Sequence, residues 1–151
     1  MDSTRLWVTL SKVFRENGQL EDASQCLAEA RAADRLHPDL VHEGGRLCEA
    51  GGDGDAARAQ YRKALALASS HLPSLLALAR LNTESGDVVE AEDLLRSAVR
   101  QHPAEHRAWF QLGMLYQRQA KHEQACDCLE VAVELEETSP LVPFSLLKAQ
   151  L

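Results

Sequence analysis

The sequence has few aromatic residues, few cysteines and no long apolar run. Only 5% of its 151 residues are aromatic, which disfavours a β-sandwich because strands are enriched in aromatic and β-branched side chains. Four cysteines in a chain of this length do not make a disulfide framework, so we expect a reducing, cytosolic setting. Ser11 and Lys12 interrupt the apolar run near the N-terminus, and we therefore expect no signal peptide and no membrane-inserted segment.

Positive charge is also scarce. The chain has 16 Lys and Arg against 23 Asp and Glu, for a net charge of −7. Because nucleic-acid binding depends on neutralising phosphates, this balance argues against a nucleic-acid partner.

Residues that could carry chemistry show no arrangement typical of a site. Cys126 and Cys128 are two positions apart, so on a helix their side chains diverge by about 200° and cannot share one metal ion. The six histidines show no ligand spacing, and no phosphate-binding or nucleophile motif is present. We therefore expect no metal, no cofactor and no catalysis, and interpret all four cysteines as packing residues. A metal- or cysteine-dependent enzyme is the alternative from a different class.

A register of 34 residues runs along almost the whole chain. Small residues recur in it at two positions seven residues apart, as Ala23, Ala57, Ala91 and Ala125, then Ala30, Ala64, Ala98 and Ala132. Large residues precede them in step, as in Trp7, Val41, Leu75 and Trp109, followed by Leu10, Gly44, Leu78 and Leu112. Gly18, Gly52 and Gly86 recur at the same interval, with Ala120 in the fourth copy. Each copy thus predicts two amphipathic helices joined by a glycine turn.

The pattern Trp109-x2-Leu112-Gly113-x2-Tyr116, then Ala125-x3-Leu129 and Ala132, resembles the tetratricopeptide repeat (TPR), a helix–turn–helix of 34 residues. We accordingly predict an all-α fold: a right-handed α-solenoid of four TPR repeats with a C-terminal capping helix. The single domain would span residues 1–151, with repeats at 4–37, 38–71, 72–105 and 106–139 and the terminal helix at about 141–150.

The segments "LWVTLSKVF", "EAEDLLRSAV" and "CLEVAVELEETSPLVPFSLL" resemble the C-terminal repeats of the tetratricopeptide repeat domain 7 family. Its members are much longer and are similar to the scaffold of the plasma-membrane phosphatidylinositol 4-kinase complex and to plant calmodulin-binding pollen-germination proteins. The resemblance implies a non-catalytic scaffold, with lipid-kinase subunits or calmodulin as partners and recruitment to the plasma membrane through those partners. A co-chaperone-type peptide adaptor is the alternative, although the two asparagines of its carboxylate clamp are absent.

The resemblance also implies that the first helix of each repeat lines a concave surface. The position two after the Leu/Gly slot holds Lys12, Arg46, Arg80 and Met114. Arg15, Arg107 and Arg118 would extend these cations, and Val8, Leu76 and Phe110 would add apolar contacts. We expect a basic and apolar groove for an extended or helical acidic segment. The alternative is a solvated face neutralised by Glu16, Glu43, Glu49 and Glu84.

Two segments depart from the pattern. Gly44 replaces a leucine in repeat two, and Gly within a helix costs about 0.5–1 kcal/mol relative to Ala. We therefore predict that this repeat is the least stable and the place where the superhelix bends most easily; the alternative is that the neighbouring large residues repack. In the terminal segment, Val142, Leu146 and Leu151 are expected to stay uncovered and to contact either another chain or a missing part of the protein, with self-association as one outcome.

Overall fold

The computed structural model describes residues 3–33 and 37–137, in which the protein forms eight α-helices and no strand. They belong to two compact units, one ending at Leu81 and the other beginning at Asn82. In chain order the helices are α1 (Ser3–Glu16), α2 (Leu20–Ala33), α3 (Pro38–Ala50), α4 (Gly54–Leu67), α5 (Leu72–Ser85), α6 (Val88–Gln101), α7 (His106–Arg118) and α8 (His122–Glu137). Each predicted 34-residue repeat therefore holds one pair of helices.

Alanine dominates the core because it lets helix backbones approach closely. In the first unit, α1 packs against α2, and α3 packs against α1, α2 and α4. In the second unit, α7 packs against α6 and α8. All eight alanines of the 34-residue register are at most 4% exposed: Ala23, Ala30, Ala57, Ala64, Ala91, Ala98, Ala125 and Ala132. The recurring small residues of the second helices therefore lie in the core.

The turns between paired helices share one geometry. One or two residues beyond the end of each first helix, φ is positive: +80° at Gly18, +87° at Gly52, +92° at Gly86 and +60° at Ala120. The next residue then donates a backbone hydrogen bond to the carbonyl five positions earlier, as from Gln19 to Phe14 at 2.8 Å. This pattern closes the helix end and confirms the turn prediction. Ala120 adopts it at a cost of roughly 1 kcal/mol, because its Cβ crowds the backbone.

Two glycines let helices of one hairpin meet. A Cβ on Gly45 would lie 2.6–3.0 Å from ring atoms of Tyr61, and a Cβ on Gly113 would lie 2.8 Å from Cγ of Leu129. The slot at Gly44 differs, because the nearest atoms to its Cβ position are polar side-chain termini of Arg31 and Gln60, both at 3.6 Å. Whether repeat two is the least stable stays a prediction.

The first helix departs from expectation on one face. Leu10, predicted to pack like its equivalents, is 37% exposed, whereas Leu78 is 1% and Leu112 is 3% exposed. Leu6 and Val13 lie on the same side of α1 and are 51% and 48% exposed. Of the stripe inferred from the sequence, Leu10 is therefore open in the first repeat, whereas its equivalents Leu78 and Leu112 are buried.

Candidate functional site

An exposed stripe on α7 carries four of the predicted groove residues. Arg107, Phe110, Met114 and Arg118 follow one another at intervals of three, four and four residues, which places them on one face of the helix. Phe110 is 52% exposed and Met114 is 42% exposed, and both arginines are also exposed. Large apolar side chains at such exposure, bounded by cations, are typical of a protein-interaction surface. These four residues are named the α7 stripe below.

The opposite face of α7 holds the stripe in place. Leu112, Gly113, Leu115 and Tyr116 are buried there. Arg96 Nε donates a hydrogen bond to the Tyr116 hydroxyl at 3.2 Å. At the start of the helix, Trp109 Nε1 donates to the carbonyl of Pro103 at 2.9 Å. Trp109 and Tyr116 are thus structural, and they fix which side of α7 faces solvent.

In the first unit, three cations occupy the positions equivalent to Met114. Lys12 on α1 is exposed and makes no ion pair with any residue that the structure describes. Arg46 on α3 and Arg80 on α5 share one carboxylate: Glu49 lies 4.0 Å from Arg46 Nη1 and accepts a 2.5 Å hydrogen bond from Arg80. The side chains of Arg46 and Arg80 are 39% and 36% exposed, so both retain access to solvent.

Glu49 is also the acceptor of the hydrogen bond from the buried Tyr61 hydroxyl. Partial burial acts to raise the pKa of Glu49, but the bonds from Tyr61 and Arg80 outweigh it and hold this pKa below its ordinary value. Burial, followed by the bond to Glu49, raises the pKa of Tyr61. Glu49 is therefore charged at neutral pH and ties Tyr61 of α4 and Arg80 of α5 to α3.

The remaining predicted groove residues are wholly or partly buried. Arg15 Nε donates to Glu43 at 2.6 Å, and the two side chains are only 10% and 6% exposed. Leu76 is 8% exposed and Val8 is half-buried. We expected Arg15 to extend an exposed row of cations and Leu76 to be an open apolar contact. Both side chains are instead largely buried. Both were placed by register alone, which does not show how deep a side chain sits.

The sequence did not reveal a polar network around Ser74. His71 bonds Ser74 Oγ through Nδ1 at 2.8 Å and Asp39 through Nε2 at 2.7 Å, and His42 Nδ1 lies 3.2 Å from the same Oγ. Ser74 is 0% exposed, so the Ser–His–Asp order here is a buried connection between α3 and α5 rather than an open nucleophile. The only hint in the sequence is that His37 and His71 occupy equivalent positions.

Burial, with positive charge from His71 and Arg46, lowers the pKa of His42 from 6.5 to about 4. Partial burial acts to raise the pKa of Asp39, but the hydrogen bond from His71 and the charges of the neighbouring histidines hold it below its ordinary value. His42 is therefore neutral inside the folded protein at physiological pH.

Acidification is expected to destabilise the protein through His42. Between pH 6.5 and 4 the unfolded chain binds the proton that folded His42 excludes, so stability is highest above pH 6.5 and falls below it. From pH 7.5 to pH 5 the expected loss is about 2 kcal/mol in the free energy of unfolding. Urea titrations at the two pH values measure it, with His42→Gln as the non-titrating control. Equal losses in the two proteins would contradict this assignment.

The cysteines divide between core and surface. Cys26 and Cys128 are buried, Cys48 is half-buried, and burial is the main cause that raises the pKa of all three thiols. Cys126 is exposed on α8, so its interpretation as a packing residue is wrong. Residues two apart on a helix point in nearly opposite directions, so Cys126 and Cys128 cannot both face the core. No cluster of three or more metal-ligating residues occurs within residues 3–33 and 37–137.

The second predicted surface, formed by Val142, Leu146 and Leu151, lies outside the described residues. None of the helices α1 to α8 combines the length and the apolar content that crossing a bilayer requires.

Paired helices with alanine cores and positive-φ turns define a TPR solenoid, a class of generally non-catalytic protein-interaction scaffolds. The match of residues 16–136 to the family described as "Cilia and flagella-associated protein 70 middle TPR-like domain" shows that the chain belongs to that family.

Relatives and solved structures agree with this assignment. The chain is 31% identical over 147 residues to human tetratricopeptide repeat protein 7B, a match that covers 97% of this chain and 17% of that protein. It is likewise 31% identical over 143 residues to Arabidopsis thaliana Protein NPGR1, covering 93% and 21%. The resemblance to the tetratricopeptide repeat domain 7 family is thereby confirmed, and the chain spans about a fifth of the length of these relatives. The structure of Pseudomonas aeruginosa PilF has a TM-score of 0.82 and 23% identity, covering 98% of this chain and 69% of PilF, which shows the fold.

Proposed function

We propose that the chain is a non-catalytic scaffold that binds a partner protein through the α7 stripe, with Lys12, Arg46 and Arg80 forming a second contact surface on the first unit. The exposure of Phe110 and Met114 between two exposed arginines carries this proposal. Burying two such side chains removes apolar area from water, which stabilises a complex by about 1.5–3 kcal/mol per fully buried residue before the costs of association.

The partner segment is expected to be apolar with flanking carboxylates. Phe110 and Met114 offer the apolar contacts, and methionine adapts readily to different partner shapes. Arg118 can bind a carboxylate through two parallel hydrogen bonds. Arg107 Nε donates to Glu105 Oε1 at 3.2 Å, so Arg107 can bind a partner carboxylate through its two terminal nitrogens. An amphipathic helix or an extended acidic segment meets both requirements, and neither needs the α7 backbone to move.

The similarity to tetratricopeptide repeat protein 7B supports a finer proposal. In that proposal the chain acts in a phosphatidylinositol 4-kinase assembly, cytosolic and held at the plasma membrane by its partners. A second candidate is calmodulin, since a stripe of apolar residues bounded by arginines has the basic, amphipathic character of calmodulin targets. The similarity to Protein NPGR1 is the corresponding support from a plant relative.

Binding titrations of the purified chain can test both candidates. The probes are a purified phosphatidylinositol 4-kinase assembly that lacks its own TPR scaffold, and calmodulin with and without calcium. We expect binding to the kinase assembly that Phe110→Glu or Met114→Glu weakens by roughly tenfold or more, which corresponds to about 1.4 kcal/mol. Val89→Glu is the matched control, because Val89 is 74% exposed on α6, outside the α7 stripe.

Circular dichroism should show that all three variants stay folded, since each residue is largely exposed. Equal weakening by Val89→Glu would mean that added negative charge, not the stripe, is responsible. No binding to the kinase assembly, together with calcium-dependent binding to calmodulin that Met114→Glu abolishes, would favour the second candidate. Binding to neither probe would refute the proposed assembly.

A further inference from the structure

The Arg46 guanidinium on α3 has no hydrogen-bonded carboxylate among the residues that the structure describes. Its closest acid is Glu49, 4.0 Å from Nη1, which is beyond hydrogen-bonding distance. Helix α3 packs against α1, and hydrogen bonds from Arg80 to Glu49 and between Ser74 and His42 join it to α5. Both neighbouring first helices are therefore described, and neither supplies an acceptor to Arg46.

Glu49 is held away from Arg46 by two other side chains. It accepts the hydrogen bond of the buried Tyr61 hydroxyl and a 2.5 Å hydrogen bond from Arg80, and its own side chain is only 18% exposed. A rotation toward Arg46 would break both of these charge-assisted contacts. The carboxylate therefore brings two guanidinium groups close together while it hydrogen-bonds only one of them.

Lys12 brings a third cation to this surface from α1. It stands 34 residues before Arg46 in the repeat register, is exposed, and forms no ion pair with any residue of the described ranges. Because packed helices have their axes about 8–10 Å apart, the flexible lysine of α1 and the arginine of α3 can reach one anion between them. Lys12, Arg46 and Arg80 are named the Arg46 site.

The other acids on α1, α3 and α5 leave this charge in place. Glu43 is paired with Arg15 and both side chains are buried, so neither adds charge at the surface. Asp39 lies in the first turn of α3, about two helical turns from Arg46. Glu16 and Glu84 lie near the C-terminal ends of α1 and α5, and neither forms an ion pair with Lys12 or Arg46. The surface therefore keeps positive charge although the whole chain is acidic.

We propose that the Arg46 site binds a phosphorylated serine or threonine in a segment of a partner protein. The proposal rests on the proposed function, because it specifies what the second contact surface recognises. A phosphate group carries a charge of about −1.5 to −2 at pH 7 and three acceptor oxygens, so it can accept two parallel bonds from Arg46 and a third bond from Lys12. A carboxylate has one charge and two oxygens, so it engages the three cations less fully.

The site needs little rearrangement to accept a phosphate. Arg46 and Lys12 break no hydrogen bond to another described side chain when they bind it, and Arg80 stays oriented by Glu49. A preformed arrangement of this kind lowers the ordering cost of binding. A lipid headgroup offers the same phosphate chemistry, but the net charge of −7 opposes docking on an anionic bilayer. A protein segment is therefore the favoured source of the phosphate.

Retention of peptide libraries on the immobilised chain tests the proposal. The libraries are random nonapeptides with a fixed central phosphoserine, and matched libraries with serine or glutamate at that position. We expect the phosphoserine library to be retained roughly tenfold more strongly than either matched library. Arg46→Gln should remove this preference, and Arg46→Lys should weaken it, since lysine keeps the charge but loses the planar fork.

Lys63→Gln is the matched control for Lys12→Gln, because Lys63 is an exposed lysine on α4, a second helix of the same unit. Lys12→Gln is expected to lower retention of the phosphoserine library several-fold, and Lys63→Gln to leave it unchanged, with circular dichroism showing that every variant stays folded. Equal losses in the two lysine variants would indicate general charge attraction and would overturn the site. Equal retention of the phosphoserine and glutamate libraries, or a preference that survives Arg46→Gln, would also overturn it.

Phosphatidylcholine vesicles that contain phosphatidylinositol phosphate at about one lipid in twenty test the lipid source. No binding is expected, and vesicle binding that requires Arg46 without retention of the phosphoserine library would overturn the proposal in favour of a membrane surface. Phe110→Glu should leave the phosphoserine preference intact, because Phe110 lies in the other unit. A chain that binds the kinase assembly through Phe110 but shows no phosphoserine preference overturns this inference alone. A chain that shows the preference but binds neither the kinase assembly nor calmodulin supports this inference and refutes only the proposed assembly.

Discussion

Replacing Gly45 with alanine is expected to destabilise the protein by about 2 kcal/mol, while the same change at the adjacent Gly44 is expected to stabilise it by about 1 kcal/mol. The added Cβ at position 45 would lie 2.6 Å from Cε1 and 2.9 Å from Cδ1 of Tyr61. Overpacking of this kind costs about 1–3 kcal/mol, more than the gain in helix propensity of about 1 kcal/mol.

Tyr61 cannot easily move away from the new methyl group. Its side chain is 0% exposed, and its hydroxyl donates a hydrogen bond to Glu49, which also binds Arg80. A shift of the ring would disturb these charge-assisted contacts as well as the helix packing. At Gly44, by contrast, the new Cβ would contact only the flexible ends of Arg31 and Gln60 at an ordinary 3.6 Å.

Urea unfolding of the wild type and the two single variants measures both effects, with circular dichroism as the probe. The two glycines are neighbours in α3 and both are buried, so they serve as controls for one another. Destabilisation of similar size at both positions would contradict the Tyr61 contact and would instead indicate that α3 needs both glycines. A stabilised Gly44→Ala protein would support the prediction that the missing side chain weakens repeat two.

The hairpins were predictable because their determinants are local and recur. Glycine is the residue type that adopts a positive φ without strain, so the positive φ at Gly18, Gly52 and Gly86 could be predicted from their identity. Ala120 could be placed in the same turn only because three other copies show the pattern. The buried alanines could be predicted from periodicity in the same way, because the period alone identifies the helix face on which each of them lies.

The candidate site was less predictable because exposure depends on how deep a helix sits among its neighbours. Register placed Arg15, Leu76 and Phe110 on similar faces, yet Phe110 is 52% exposed, Leu76 is 8% exposed and the Arg15 side chain is 10% exposed. Glu43 was interpreted as an acid that could neutralise a solvated face, but it is 4% exposed. A 34-residue period predicts the direction in which a side chain points around its helix axis. It does not predict pairs such as Arg15 and Glu43, which are 28 residues apart and meet because α1 packs on α3.

Breaking the buried Arg15–Glu43 pair is expected to have the second large effect on stability. Glu43→Ala is expected to destabilise the protein by about 3–5 kcal/mol, because it leaves the Arg15 guanidinium in a buried position without its carboxylate. The wild-type contact is a 2.6 Å hydrogen bond between side chains that are 10% and 6% exposed. Asp55→Ala is the matched control in the same unit, since it removes an ion pair with Arg58 in which Asp55 is 87% exposed, and it should cost no more than about 1 kcal/mol.

The double variant Arg15→Leu, Glu43→Leu separates the charge from the packing. If an unpaired charge causes the loss, replacing both members with apolar side chains should recover most of the stability, because neither desolvated charge remains. Urea unfolding of the single and double variants gives the coupling free energy between the two positions. A loss for Glu43→Ala as small as that for Asp55→Ala would mean that water reaches Arg15. A double variant no more stable than Glu43→Ala would mean that the pair is needed to hold α1 on α3, and that apolar contact alone does not suffice there.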